Sequence, residues 1–129
     1  MEPMSLIAIF LIVFLSGLVI FQTLLAFGAP FGKAAWGGQH DAVLPQKLRI
    51  SSAISALFLL FIISVILSFT GSISLYTSSF EMVFLWFTAI YFGIGIIMNA
   101  ISRSKIERIW SPYSAVLCVL LIILLRQGT

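Results

Sequence analysis

The sequence predicts an all-α membrane protein built as a bundle of four transmembrane helices. The chain has 129 residues, of which 61% are hydrophobic and 9% are charged, whereas a soluble domain is about half apolar and about a quarter charged. So little charge cannot cover a water-facing surface, which excludes a soluble domain, a disordered segment and a nucleic-acid-binding module. Backbone that crosses lipid must satisfy its own hydrogen bonds, so the four apolar segments are expected to be helices.

Three of the four apolar segments reach the roughly 20 residues that a spanning helix needs. The predicted helices cover about residues 5–27, 48–70, 80–102 and 110–126. The fourth apolar run is short and spans only if Trp110 lies at one interface and Arg126 extends to the other. Glu2 stands where a signal peptide carries positive charge, so the first segment is expected to remain as a helix. Residues 1–129 are then expected to form a single integral membrane domain.

The ends of the predicted helices carry residues that commonly start helices. Pro45 can open the second helix. Ser78 and Glu81 have the spacing of a capping box before the third helix. Ser111 followed by Pro112 predicts an N-cap and a first-turn proline for the fourth helix.

Six of the seven basic residues lie in or beside the first and third connections of the chain. They are Lys33, Lys47, Arg49, Arg103, Lys105 and Arg108. These two connections share one side of a four-span protein, and the other side carries Arg126. Because the positive-inside rule assigns the more basic loops to the cytoplasm, we expect loops 28–47 and 103–111 to be cytoplasmic and both termini to lie outside.

Polar residues on the first and third helices form a candidate pocket near the cytoplasmic side. Gln22 and Asn99 each lie about one turn inside a helix end, and an amide in hydrocarbon is costly unless it is hydrogen-bonded, so both are expected to face the bundle. Asn99 shares a helix face with Gly95 and lies near Arg103. One hypothesis is a polar cavity lined by Gln22, Tyr91 and Asn99, with His40, Asp41 and Arg103 as further candidates for the pocket. The alternative is a hydrogen bond between Gln22 and Asn99 that joins two helices, as polar residues commonly do in membranes.

The first connection is long for so small a bundle, and long loops are often functional or disordered. Phe31 and Trp36 are suited to the membrane interface, so the loop is expected to pack back on the cytoplasmic face, with a partly re-entrant course allowed. His40 is the group that titrates near neutral pH, and Asp41 adjoins it. The pair can serve acid–base chemistry, or it can be a solvated interfacial pair, which is the more common case for residues adjacent in sequence.

Small residues near the start of the second helix predict close packing, within the bundle or against a second copy. They are Ser51, Ser52, Ser55 and Ala56. Gly95 on the third helix can admit a neighbour in the same way. Arg103 and Glu107, about one turn apart, are expected to form a surface ion pair. One His and one Cys cannot supply the four ligands of a closed metal site, so neither a metal nor a cofactor is expected.

Several strings in the loops resemble those of a group of small bacterial four-helix integral membrane proteins. The strings are Gly-Ala-Pro-Phe-Gly from Gly28, Ala-Trp-Gly-Gly-Gln-His from Ala35, Leu-Pro-Gln-Lys-Leu-Arg from Leu44 and Met-Asn-Ala-Ile-Ser-Arg-Ser-Lys-Ile-Glu-Arg from Met98. The resemblance covers nearly the whole chain. It implies a bacterial origin and residence in the plasma membrane, but it supplies no catalytic residue because no activity is assigned to that group.

Three functional hypotheses follow from these features. The first is a non-enzymatic membrane protein, an accessory, scaffold or self-associating bundle, because charged groups that transport and catalysis usually require are scarce within the spans. The second is a small transporter or ligand-binding protein with a cytoplasm-facing pocket near Gln22, Tyr91, Asn99 and His40. The third is an enzyme acting on lipid through His40 and Asp41. The expected partners are membrane lipid and a second copy or another membrane protein, and not nucleic acid.

Overall fold

A computed structural model of the chain describes residues 5–128, so Glu2, which bears on the signal-peptide question, lies outside the described residues. The helices are α1 (Leu6–Ala26), α2 (Gln46–Phe69), α3 (Ser78–Ala100) and α4 (Trp110–Gln127). All four are long and apolar enough to cross a membrane, and each boundary lies within two residues of its predicted position. The protein is a multi-pass membrane protein, and the predicted four-helix bundle is confirmed.

The bundle consists of two helical hairpins. α1 packs chiefly on α2 and α3 packs chiefly on α4, whereas the α1–α4 and α2–α3 contacts are less extensive. We call the end where α1 and α3 finish the basic end; it carries the first loop (residues 27–45) and the third loop (residues 101–106). The opposite end, which carries the second loop (residues 70–77), is the far end.

A small buried cluster of Leu25, Ala35 and Leu44 lies near the basic end, and the larger core cluster occupies the half of the bundle nearer the far end. Its largest members are Leu11, Leu15, Ile62, Ile66, Leu85, Leu117, Leu121 and Leu125. Within lipid such packing stabilises the bundle through van der Waals contact, because the surrounding acyl chains are as apolar as leucine. In the half of the bundle nearer the basic end, the helices leave a cavity between them.

The start of α3 differs from the predicted capping box. Thr77 is the N-cap, and its hydroxyl accepts a hydrogen bond from the backbone N–H of Phe80 at 3.2 Å. The helix therefore begins one residue earlier than a cap at Ser78 requires, and Glu81 falls too far along the first turn to reach back to the cap. Glu81 is instead buried, and its carboxylate accepts a hydrogen bond from Ser68 on α2. The predicted capping box is wrong, and Glu81 joins α2 to α3.

The start of α4 also differs from the prediction. A 3₁₀ turn over Glu107–Ile109 leads directly into α4, whose N-cap position is Ile109 rather than Ser111. The hydroxyl of Ser111 donates to the backbone carbonyl of Ile96 on α3 at 2.7 Å, so it connects two helices. Pro45 does stand at the start of α2, in the N-cap position.

Candidate functional site

The first loop folds back across the basic end of the bundle in two short 3₁₀ turns, Gly32–Ala34 and Trp36–Gly38. The interfacial aromatic residues predicted that this loop packs back on the bundle. Hydrogen bonds to three other segments hold the loop in place. The indole Nε1 of Trp36 donates to Ser52 Oγ on α2 at 2.9 Å. The indole Nε1 of Trp110 on α4 donates to the carbonyl of Ala34 at 2.9 Å. The hydroxyl of Ser104 in the third loop donates to the carbonyl of Lys33.

The backbone of this loop is in the left-handed region at three successive residues. The φ values are 51° at Trp36, 82° at Gly37 and 70° at Gly38. Glycine adopts such values without strain, whereas a bulky residue such as tryptophan does so at a cost on the order of 1–3 kcal/mol. A Cβ at Gly38 would also overlap the side chain of Ser104. The backbone therefore favours glycine at both positions, and the close approach of the third loop requires it at Gly38 as well.

Glu107 fastens the first loop to the third loop from inside the bundle. Its side chain is buried; Oε2 accepts from the backbone N–H of Gly37 at 3.0 Å, and Oε1 accepts from the hydroxyl of Ser102. The predicted surface pair with Arg103 is therefore wrong. The 3₁₀ turn at Glu107 directs the carboxylate inward, where hydrogen bonds to neutral donors replace contact with water.

A cavity of about 900 Å³ lies beneath the first loop, between the two hairpins. All four helices contribute to its wall, and the first and third loops contribute to its rim. The polar lining comprises Gln22, Trp36, Gln39, Ser55, Tyr91, Asn99, Ser102, Arg103, Glu107, Trp110 and Ser114. The apolar lining includes Leu18, Phe21, Ile54, Phe58, Leu59, Ile62, Phe92, Ile94 and Met98. The bundle is thus filled near the far end and hollow near the basic end.

Gln22 and Asn99 border this cavity without bonding each other. Asn99 Nδ2 donates to the carbonyl of Gly95, one turn earlier on its own helix, at 2.8 Å. Gln22 Oε1 is buried and has no hydrogen-bond partner among residues 5–128. The hydrogen bond between the two amides that was considered from the sequence is therefore not formed.

The structure brings together four of the six residues proposed for the pocket. Gln22, Tyr91, Asn99 and Arg103 all line the cavity, whereas His40 and Asp41 are not among its lining residues. Asp41 forms an exposed ion pair with Lys33, with Oδ1 and Nζ 3.8 Å apart, and such surface pairs contribute about 0–1 kcal/mol.

The small residues predicted to pack helices take several different roles. Ser51 and Ser55 donate to carbonyls one turn earlier on α2, while Ala56 is buried. Ser52 is fully buried, and its hydroxyl accepts the hydrogen bond from the Trp36 indole. It therefore binds the first loop rather than a neighbouring helix. Gly95 lies against α4, since a Cβ at this position would be 3.3 Å from Ser114 Oγ.

Sequence reasoning missed the parts of this site that depend on the loop fold. Trp110 was assigned only to the interface, Glu107 to the surface, and Ser114 to no role. A signal was present for the loop, because Trp36 is followed by two glycines, a pattern that permits a tight left-handed turn.

The cavity lining combines polar, charged and aromatic side chains. A guanidinium lies at the rim and aromatic side chains form part of the wall, and within residues 5–128 there is no group of three or more His, Cys, Asp or Glu side chains that could hold a metal ion. The chain matches no protein-family model, no curated protein sequence and no solved structure.

Proposed function

We propose that the protein is a ligand-binding membrane protein that holds a small apolar or amphipathic molecule in the cavity beneath the first loop. Its volume of about 900 Å³ falls within the range of about 300–1,000 Å³ typical of ligand sites, and its mixture of apolar walls and few polar groups is also typical. The observation that carries the proposal is the cavity itself, to whose wall all four helices and the first and third loops contribute.

Binding is better supported than catalysis by the same residues. Both carboxylate oxygens of Glu107 already accept hydrogen bonds from Gly37 and Ser102. His40 is not part of the lining, and Asp41 pairs with Lys33 at the surface. An accessory or self-associating bundle, the first hypothesis drawn from the sequence, would need no hollow interior, so it is the expected conclusion if ligand binding fails.

We also propose that the basic end faces the cytoplasm across a bacterial plasma membrane, with both termini outside. The support is the concentration of basic residues in the first and third loops and beside them, together with the positive-inside rule. The test is a pair of C-terminal fusions expressed in bacteria. Alkaline phosphatase, which folds only outside the cytoplasm, should be active, and a fluorescent fusion that matures only in the cytoplasm should be dark. The reverse result would overturn the orientation.

Ligand binding can be tested with the tryptophans of the protein. Trp36 and Trp110 line the cavity, while Trp86 is not among the lining residues, so a Trp86→Phe background reports on the cavity alone. The protein is placed in phosphatidylcholine vesicles and titrated with single-chain probes that carry a nitroxide near the head. The heads are a neutral alcohol, a phosphocholine, a phosphoglycerol and a quaternary ammonium. Saturable quenching by at least one probe at low mole fraction is expected.

A matched pair of variants separates the cavity from the surrounding lipid. Ser55→Phe fills the cavity from α2, whereas Ala53→Phe adds the same ring at an exposed position of the same helix. Saturable quenching should be lost in the first variant and retained in the second, with thermal unfolding showing that both are folded. If no probe gives saturable quenching, or if both variants behave alike, the proposed function is wrong.

A further inference from the structure

The cavity is bounded by packed contacts on three of its sides. The first loop covers it at the basic end, where the Trp36 indole donates a hydrogen bond to Ser52 on α2. Between α1 and α4, the rings of Phe21 and Trp110 lie in contact, with their centroids 4.7 Å apart. Toward the far end the lining meets the buried core. A ligand that entered on any of these sides would first have to break a hydrogen bond or a packed contact.

The fourth side lies between α2 and α3, and it is closed toward the far end. There Ser68 on α2 donates a hydrogen bond to the buried carboxylate of Glu81 on α3. Ring contacts continue this junction, which we call the α2–α3 seam, toward the middle of the bundle. The ring contact nearest the basic end joins Phe58 to Tyr91, with the centroids 5.8 Å apart. The α2–α3 seam is less extensive than the contact within either hairpin.

Between the Phe58–Tyr91 pair and the basic end, the α2–α3 seam is open. Ile54, Ile94 and Met98 line the cavity, yet each of these side chains is more than half exposed. Because α2 begins at the basic end and α3 finishes there, all three lie in the half of the bundle nearer that end. Both helices span the membrane, so the opening faces the acyl chains of one leaflet rather than water.

The lining behind this opening is apolar where it meets the core. Leu18, Leu59 and Ile62 lie there, either within the core cluster or packed against it. An apolar group that passes from acyl chains to these side chains exchanges one apolar environment for another. A polar solute that came from water would instead lose its hydration, which is costly unless new hydrogen bonds replace it. The opening therefore favours a ligand that is already dissolved in the lipid.

On the basis of the proposed function, we propose that the ligand is a lipid-soluble molecule that enters sideways from the leaflet at the basic end. The open part of the α2–α3 seam is its entrance, and the Phe58–Tyr91 pair is the inner edge of that entrance. A solute that came from water would have to displace the first loop and break the hydrogen bonds made by Trp36 and Gly37.

The rates of entry and exit test this route. The probes are the four nitroxide probes of the binding test, in the same vesicles and the same Trp86→Phe background. A small temperature jump displaces the binding equilibrium, and the relaxation of tryptophan fluorescence is followed at several mole fractions of each probe that binds. The slope of the relaxation rate against mole fraction gives the entry rate, and the intercept gives the exit rate.

A sealed variant closes the entrance. Ile54→Phe with Ile94→Phe extends the ring contacts toward the basic end, because each position lies about one turn beyond the Phe58–Tyr91 pair. Entry and exit should both become about tenfold slower, the change that corresponds to one added aromatic pair. Damage to the site would speed exit rather than slow it. An unchanged or faster exit rate in the sealed variant would overturn lateral entry.

The control for the sealed variant adds the same two rings elsewhere on the same helices. Leu57→Phe with Ile90→Phe places them at exposed positions outside the lining, and its rates should equal those of the unaltered protein. Equal slowing in the control and the sealed variant would overturn the proposal, because added bulk rather than closure of the α2–α3 seam would then explain it.

The opposite change widens the entrance and decides the question if the sealed variant does not fold. Phe58→Ala removes the ring at the inner edge and should speed entry by up to about tenfold. Phe61→Ala is the control, because it removes a ring of nearly equal exposure, 39% against 38%, from the same helix but outside the lining. Equal entry rates in these two variants would overturn the role of the α2–α3 seam.

Other sources of the ligand give different results. Entry from water beneath the first loop would be faster in Ser52→Ala, which loosens that loop, and would not respond to the sealed variant. A second copy of the chain seated on the opening would make entry slower as the ratio of protein to lipid is raised. The head of a bound probe, supplied in water without its chain, would compete if the ligand were water-soluble. Each of these results would overturn the proposal.

The proposed function stands or falls separately from the route of entry. If a probe binds saturably and Ser55→Phe abolishes that binding, while the sealed variant exchanges the probe at the normal rate, the cavity binds a ligand that does not enter through the α2–α3 seam. If no probe gives saturable quenching, both proposals are wrong.

Discussion

The indole Nε1 of Trp36 donates a hydrogen bond to the hydroxyl of Ser52 across 2.9 Å, although Trp36 has a φ of 51°. Ser52 is fully buried on α2, so the contact draws the first loop down onto the bundle. A strained residue is retained only where its surroundings compensate for it. The hydrogen bonds from Trp36 to Ser52 and from Gly37 to Glu107 provide that compensation, and they hold the loop over the cavity.

Ser52→Ala is expected to loosen the first loop. The substitution removes the acceptor of the Trp36 indole, and a hydrogen bond of this kind contributes about 1 kcal/mol. Amide hydrogen exchange at Gly37 and Gly38 should therefore become several-fold faster. Ser51→Ala is the control, because the Ser51 hydroxyl bonds only to the Lys47 carbonyl of its own helix. Unchanged exchange in Ser52→Ala would show that the indole does not hold the loop.

Glu107→Ala is expected to destabilise the protein by roughly 3 kcal/mol. It leaves the N–H of Gly37 and the hydroxyl of Ser102 without their acceptors, and hydrogen bonds to a charged group contribute about 1.5–3 kcal/mol each. Glu107→Gln keeps one acceptor oxygen and should lose about half as much. Thermal unfolding in detergent measures both, and Lys105→Ala, at an exposed position nearby, should change the midpoint little. Equal midpoints for the three variants would contradict the buried role of Glu107.

Gly17→Ala is expected to separate α1 from α4. A Cβ at Gly17 would lie 2.7 Å from the hydroxyl oxygen of Tyr113, and that hydroxyl donates to the carbonyl of Phe14. Overpacking of this kind costs about 1–3 kcal/mol. Tyr113→Phe removes the clashing oxygen, so the double variant should lose less stability than the sum of the single variants. Gly93→Ala is the control, because its Cβ would lie 3.9 Å from Cys118 Sγ, an ordinary contact distance. If the stability losses of Gly17→Ala and Tyr113→Phe were strictly additive, the contact between Gly17 and Tyr113 would be disproved.

Gln22→Leu is expected to stabilise the ligand-free protein. The buried Oε1 of Gln22 has no partner among the described residues, so its removal should recover about 1 kcal/mol of the penalty for an unpaired polar atom. Most substitutions at buried positions act in the opposite direction. Thermal unfolding in ligand-free detergent measures the effect, and Gln46→Leu, at an exposed position, is the control. A lower midpoint for Gln22→Leu would mean that the amide is satisfied.

The sequence predicted those features that depend on composition and on order along the chain. Four helices and their approximate ends follow from apolar runs of membrane-spanning length, and the inward orientation of Gln22 and Asn99 follows from the cost of an amide in lipid. The predictions at Glu81 and Ser111 failed because α3 begins one residue, and α4 two residues, earlier than predicted. After that shift, the side chain meets a neighbouring helix instead of its own cap.

What the sequence determined by itself is the solvent of this protein, since apolar content and spacing decide that most of the chain lies in lipid. What only the tertiary structure decided is that the bundle is hollow beneath the first loop. Whether Gln22 meets Asn99 or faces a cavity depends on how far apart two hairpins stand, and that separation is set by the combined packing of many side chains and the seating of Trp36. No single stretch of sequence carries that information.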